Sequence, residues 1–125
     1  MGEKIRYHTD LEAYQIAFDS AMQIFKLTKS FPKEETYSLV DQIRRSSRSV
    51  CANLSEAWRR RRYRAAFINC LNLVEAEAAE TQVWLSFCKE CGYLSGYQTD
   101  SITQSYDHVL GKIVTMIKHP ERWIL

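Results

Sequence analysis

The sequence predicts an all-α protein, an antiparallel up-down four-helix bundle. Three observations predict it. Apolar residues recur at alternating steps of three and four along four successive stretches. Glycine and proline are scarce, four and two in 125 residues, and their expected places are helix ends rather than helix interiors. No segment shows the two-residue alternation of a strand, and no internal repeat competes. Helices are expected over about residues 10–29, 33–60, 63–91 and 99–118 of a single domain, 1–125, with a short tail over 119–125.

The first stretch places Leu11, Tyr14, Phe18, Ala21, Phe25 and Thr28 on one face, with Ala17 and Ile24 beside them. Thr9 and Glu12 of "TDLE" have the spacing of a capping box. "SFPKEE" separates it from the second stretch; Pro32 suits a first helical turn, and Glu34 and Glu35 suit the positive end of the helix dipole. The second seam is Val40, Ile43, Ser47, Val50, Leu54 and Ala57. The third is Phe67, Leu71, Val74, Ala78, Thr81, Leu85 and Cys88, ending at Gly92 as a left-handed cap. The fourth is Ile102, Tyr106, Val109, Ile113 and Met116, starting near Thr99 or Ser101 and ending before Pro120. Trp123 in the tail is expected to fold back onto an apolar surface.

A chain of this length buries roughly two-thirds of its unfolded surface, and 46% apolar residues suffice for a core without disulfides or metals. Cys51, Cys70, Cys88 and Cys91 show no regular disulfide spacing, "MGEKIRYHTD" lacks the apolar segment of a secretion signal, and no run is long enough to span a membrane. A reducing cytoplasm, with free thiols, is the expected setting.

Charge is the unusual feature. Of 17 lysines and arginines, eight arginines fall in residues 44–64, "RRSSRSVCANLSEAWRRRRYR", beside the single acid Glu56. That segment carries a balance of +7, and the remaining nine cations and fourteen acids leave −5. At about 100° per residue, Arg45 lies opposite the second seam, Arg48 beside it and Arg44 on the flank. Ala52 and Ser55 share that outer face, so another backbone can approach it closely. Arg59, Arg60, Arg61, Arg62 and Arg64 then crowd the junction of the second and third helices. Three roles fit this basic stripe and corner. It can be a solvated face, it can pair with acids such as Glu75, Glu77 and Glu80 within or between subunits, or it can bind phosphates with salt-dependent affinity. Tyr63 and Trp58 flank the run and are compatible with base stacking, although Trp58 lies at the edge of the seam and suits the core.

Catalytic and metal chemistry find little support. Cys88 and Cys91 form a lone CxxC on the last turn of a helix; a redox motif wants a strand-to-helix setting and zinc wants two more ligands. Cys70, Glu77, Trp84 and Cys91, spaced by sevens, read better as a buried or interfacial stripe. His8, His108 and His119 are scattered, no Glu-x-x-His pair offers a di-metal site, and no glycine-rich phosphate loop is present. Asn53 and Glu56 are three apart and are expected to form a polar interhelical pair. No enzyme activity, metal or cofactor is expected.

"FPKEETYSLVDQIRRSSRSVCANLSEAWRRRRY" resembles the signature of the bacterial four-helix bundle proteins of the S23 family, associated with intervening sequences in 23S ribosomal RNA genes. The likeness extends through "LEAYQIAFDSAMQIFKLTKSFP" and "EAEAAETQVWLSFCKECGYL", over roughly residues 10–95. More distantly the chain is similar to accessory proteins of diversity-generating retroelements, basic pentamers thought to bind nucleic acid and a reverse transcriptase. The resemblance implies a homopentameric ring, with the family's basic positions on Arg44 and Arg45 and its polar pair on Asn53 and Glu56. Where the family usually has glycine after that glutamate this chain has Ala57, so a helix running on to Arg59 is expected. The expected function is non-enzymatic binding of an RNA or DNA backbone through Arg44, Arg45, Arg48, Arg59 to Arg62 and Arg64. The alternative is a structural or adaptor assembly whose arginines contact subunits or a protein partner.

Overall fold

The computed structural model describes residues 4–125. Four helices follow in order: α1 (Glu12–Thr28), α2 (Leu39–Arg59), α3 (Arg64–Glu90) and α4 (Gly96–Lys118). Single 3-10 turns stand at His8–Asp10, Lys33–Glu35 and Pro120–Arg122. Each helix packs on its neighbours in sequence and α4 closes back on α1, so the all-α up-down bundle stands. No strand occurs among the described residues.

The expected seams of α2, α3 and α4 are the buried ones. Ile43, Val50 and Leu54 of α2 meet Phe67, Leu71, Val74, Ala78 and Leu85 of α3 and Ile102, Tyr106, Val109 and Ile113 of α4 in one core. α2 and α3 share the most extensive contact in the bundle. There Thr81 Oγ1 donates to Ser46 Oγ at 2.8 Å, and Ser46 Oγ donates to the Ile43 carbonyl at 3.3 Å. Both hydroxyls are buried and both are satisfied.

The face expected for α1 is buried only in part: Leu11, Ala17, Ile24 and Thr28 are, but its aromatic residues are not. Ala13, Ala17, Ser20, Ile24 and Thr28 point inward, while Phe18 is 50% exposed and Tyr14 and Phe25 are half-buried. The buried set is rotated from the aromatic set by roughly 100°. Small side chains on the inner face let α1 approach α2, where Arg44 reaches across to it; bulky rings there would hold the helices apart.

Helix starts also differ from expectation. Thr9 and Glu12 form no capping box: Thr9 sits in a 3-10 turn that Asp10 closes by accepting from the Arg6 and Tyr7 amides at 2.9 and 3.0 Å. The second helix begins at Leu39, not residue 33, because Glu35 caps it from the preceding turn. Its carboxylate accepts from Ser38 Oγ at 2.6 Å, from the Leu39 amide at 3.4 Å and from Tyr93 Oη at 2.8 Å. Donation by Ser38 and Tyr93 holds this carboxyl below its usual range, and the same bond pushes the Tyr93 phenol up to about 12. α4 starts at Gly96 on a Ser95–Gln98 capping box, ahead of Thr99. α2 does run on to Arg59, as Ala57 in place of glycine implied.

Gly92 has φ +79° and ends α3 in the left-handed region, with the Tyr93 and Leu94 amides donating to the Cys88 carbonyl. Gly111 is an exception to glycine at helix ends: it lies inside α4, exposed, with nothing within 4 Å of where a Cβ would stand. Opposite outcomes follow for the same substitution. Gly92→Ala is expected to lower the unfolding free energy by about 1 kcal/mol, whereas Gly111→Ala raises it by about 0.5–1 kcal/mol. Urea denaturation followed by circular dichroism measures both.

Candidate nucleic-acid interface

The seam of α2 fixes where its arginines go. With Ile43, Val50 and Leu54 inward, Arg45, Arg48 and Arg59 emerge on the outer face and are exposed, and Arg44 falls on the flank against α1. Arg44 Nε donates to Thr28 Oγ1 at 2.9 Å and its Nη2 to the Phe25 carbonyl at 3.3 Å. Its guanidinium covers the Phe25 ring, as do Arg48 and, from the residue after α1, Lys29. The carbonyls near the end of α1 are electronegative, so a cation there also complements the helix dipole.

The α2–α3 corner is built on Trp58, buried at 6% exposure. Its indole N–H donates to the Arg6 carbonyl at 3.3 Å, and Trp123 packs edge-on against it at 6.3 Å. Arg61 lies 3.5 Å over the Trp58 ring and donates from Nε to the Trp58 carbonyl at 2.7 Å. The Leu125 amide closes the tail onto the Arg61 carbonyl at 3.0 Å. Trp58 is thus a core residue with a cation stacked on it, and the tail does fold back as expected. Arg59, Arg60, Arg62 and Arg64 project from this corner, exposed, with Arg62 beside the exposed ring of Tyr63.

The basic surface is therefore divided rather than continuous. One group gathers around Phe25 (Lys29, Arg44, Arg48, with Arg45 adjacent), the other at the corner, about 16 Å further along α2 between Arg48 and Arg59. Ala52, Ser55 and Glu56 lie between them. The fold also brings Arg6 and Arg122 to the corner end, through Trp58 and Trp123. Neither was legible from the arginine run, because both reach it through chain termini.

Among the described residues, one ion pair involves these arginines: Arg60 with Glu56 at 3.7 Å, both side chains 55% exposed. Such an i,i+4 surface pair contributes about 0.3–0.5 kcal/mol and does not sequester the guanidinium. Glu75, Glu77 and Glu80 make no ion pair with the arginines within the chain. Glu80 sits on the outside of α3, where burial by apolar neighbours and then the Glu77 carboxylate push its carboxyl up. Asn53 and Glu56 do not form the expected interhelical pair. Asn53 Nδ2 donates within α2 to the Ser49 carbonyl and hydroxyl, both at 2.9 Å, and Glu56 turns to Arg60.

No group of three His, Cys, Asp or Glu side chains is placed to hold a metal among the described residues. Cys88 is buried and Cys91 exposed, so the CxxC pair faces two ways. The heptad-spaced set drifts about 20° per repeat. Accordingly Cys70 is buried, Glu77 and Trp84 half-buried and Cys91 exposed. An open groove of about 570 Å³ between α1 and α4, lined by Ile5, Leu11, His108, Met116 and Trp123, is crossed by the Lys112–Glu12 pair at 3.0 Å. No helix among the described residues is long and apolar enough to cross a membrane.

Four antiparallel helices with an arginine-bearing outer face define an all-α bundle protein with a cationic surface. The chain belongs to the family of 23S rRNA-intervening sequence proteins, which matches residues 9–115 and so takes in most of α4 as well as the first three helices. It is similar to a crystal structure of a protein of unknown function from the S23 ribosomal protein family of Bacteroides thetaiotaomicron VPI-5482. The two share 31% identity and superpose with a TM-score of 0.76, over 85% of this chain and 95% of that one. No curated protein matches the chain.

Burial pushes the Cys51 thiol up to about 11 and that of Cys88 up to about 12, and it raises Cys70 as well. Titration of the native protein with dithiobisnitrobenzoate at pH 8 is therefore expected to show one fast thiol, the exposed Cys91, with the other three reacting after denaturation. Fast reaction of Cys70 or Cys88 contradicts the packing of α3.

Proposed function

We propose that this protein is a non-enzymatic, self-assembling bundle that binds nucleic-acid phosphates through the outer face of α2 and the α2–α3 corner. The observation that carries this reading is the state of the arginines. Arg45, Arg48, Arg59, Arg62 and Arg64 are exposed and have no carboxylate partner among the described residues, and Arg60 is only loosely paired. Five or so unpaired guanidiniums at one bundle end and along one helix are a modest electrostatic footprint for a single copy. A homo-oligomer, a pentamer by family likeness, multiplies it. Phosphate contacts carry no sequence information by themselves, so little sequence preference is expected. Exposed Tyr63 offers one stacking surface beside the corner.

Arg44 and Arg61 belong to a different class from the rest. Arg44 donates to Thr28 and Phe25 and ties α2 to α1, and Arg61 folds back on Trp58 at the end of α2, so both do structural work and add charge from a distance. A structural reading, in which the arginines meet acids of a neighbouring subunit or a protein partner, is favoured by the unpaired Glu77 and Glu80 on α3.

Fluorescence anisotropy with labelled duplex and single-stranded oligonucleotides tests the first reading. With five duplex phosphates neutralised, the log–log salt slope is expected near −4.5, and Arg59→Glu, Arg62→Glu and Arg64→Glu together reduce its magnitude by roughly 3. Absence of binding at low salt, or a slope unmoved by the triple reversal, rejects it. Arg61→Ala is expected instead to lower stability through the lost Trp58 contacts, with a small change in slope.

A further inference from the structure

Two apolar stripes remain uncovered on this bundle, and they are on different helices. On α1 the aromatic face expected to be core is outside: Phe18 is 50% and Met22 40% exposed, with half-buried Tyr14 stacked on Phe18 at 6.0 Å. On α3 a second stripe recurs at helical spacing: Leu73 is 54%, Val83 50% and Phe87 51% exposed, with half-buried Trp84 beside Phe87. Stripes of this kind on a single chain mark interaction surfaces rather than ordinary solvent faces.

The charges around the stripes are opposite. The α1 stripe is bordered by Lys26 on its own helix, by Lys29 just after it and by Arg44 and Arg48 of α2 around Phe25, with Asp19 the acid nearby. The α3 stripe carries Glu77 and Glu80 and no cation, and neither acid has a cation partner among the described residues. The position of the stripes matters too. Phe25, next to Arg44 and Arg48, puts the first stripe on the α2 side of α1. Trp84 and Phe87, which share a depression with Ser38, Leu39 and Gln42, put the second on the α2 side of α3. The two stripes thus flank α2.

We infer that the α1 stripe of one copy docks on the α3 stripe of the next, Phe18 and Met22 against Leu73, Val83 and Phe87, with Lys26 and Arg48 opposite Glu77 and Glu80. This deepens the assembly part of the proposed function and rests on it. Unlike faces make a heterologous contact, which closes into a ring when the rotation permits. Because the stripes lie on the two sides of the bundle that meet at α2, each copy is a wedge with α2 at its apex. Arg45 and Arg59 of α2 then face the ring axis.

Mixing two defective chains tests this directly. Phe18→Asp disables the α1 stripe and Phe87→Asp the α3 stripe; both positions are half-exposed, and circular dichroism checks that each variant keeps its helices. Light scattering after size exclusion should give a closed oligomer for the wild type, a monomer for each variant alone, and a one-to-one dimer for the mixture, which retains one intact pair of faces. A dimer from either variant alone shows like faces pairing and overturns the assignment. An unchanged oligomer overturns it too. A monomeric wild type sinks the assembly reading itself, and the oligonucleotide titration then stands or falls separately. Should either aspartate variant lose helicity, Arg48→Glu and Glu80→Arg replace them: each alone shifts the oligomer toward monomer, and the double variant restores it. Lack of restoration rejects the facing of those charges.

Discussion

The rotation of α2 about its own axis is the constraint on which the rest of this structure depends. An unpaired guanidinium taken out of water costs several kcal/mol, far more than the roughly 1.5–3 kcal/mol gained by burying one aliphatic side chain. Arg45, Arg48 and Arg59 cannot be turned inward, and Ile43, Val50 and Leu54 on the opposite side are fully buried. Charge and seam therefore specify the same orientation. Once α2 is set, Ser46 falls where Thr81 can meet it and α3 is drawn close, while Arg44 falls where it reaches the end of α1.

The same reasoning explains what the sequence disclosed and what it concealed. The seams of α2, α3 and α4 were legible because their apolar residues are large, inward and bounded by polar neighbours. That of α1 was not. Tyr14, Phe18, Ala21 and Phe25 have helical spacing and high hydrophobicity, and periodicity alone cannot say which of two apolar faces turns inward. What decides it is the room available beside α2, met by Ala13, Ala17 and Ser20, and that is a property of the neighbour. Caps were read incompletely for a related reason. Thr9 had a suitable spacing, but it lies inside a 3-10 turn that Asp10 closes through the Arg6 and Tyr7 amides, and Glu35 caps α2 while also held by Tyr93 from the α3–α4 link.

Of the candidate interface, the arginine cluster and its outward projection could be read directly, while its division into two groups could not. The gap follows from α2 itself, since Ala52, Ser55 and Glu56 occupy the outer face between Arg48 and Arg59. The commitment of Arg44 likewise depends on Thr28 and Phe25 arriving from α1, whereas Arg61 turns back on Trp58 three residues before it. A guanidinium satisfied by carbonyls keeps its charge, because carbonyls are neutral. The local positive balance therefore survives folding almost undiminished, and folding adds Arg6 and Arg122 to the corner.

That survival bears on why the surface is built of arginine beside apolar stripes. A single copy presents too few unpaired cations to hold a polyanion firmly at physiological salt, where each contact contributes modestly and exposed charges are screened over about 8 Å. Concentrating more arginine on one chain would raise its self-repulsion and cost stability. The proposed assembly would escape that conflict by distributing the repulsion over several cores, each stabilised by its own buried seam. The cost of bringing like-charged α2 faces together would then be offset at the contact, by burial of Phe18, Met22, Leu73, Val83 and Phe87 and by the acids of α3. A bound phosphate backbone would relieve the remaining repulsion, so assembly and polyanion binding would reinforce one another through the same residues.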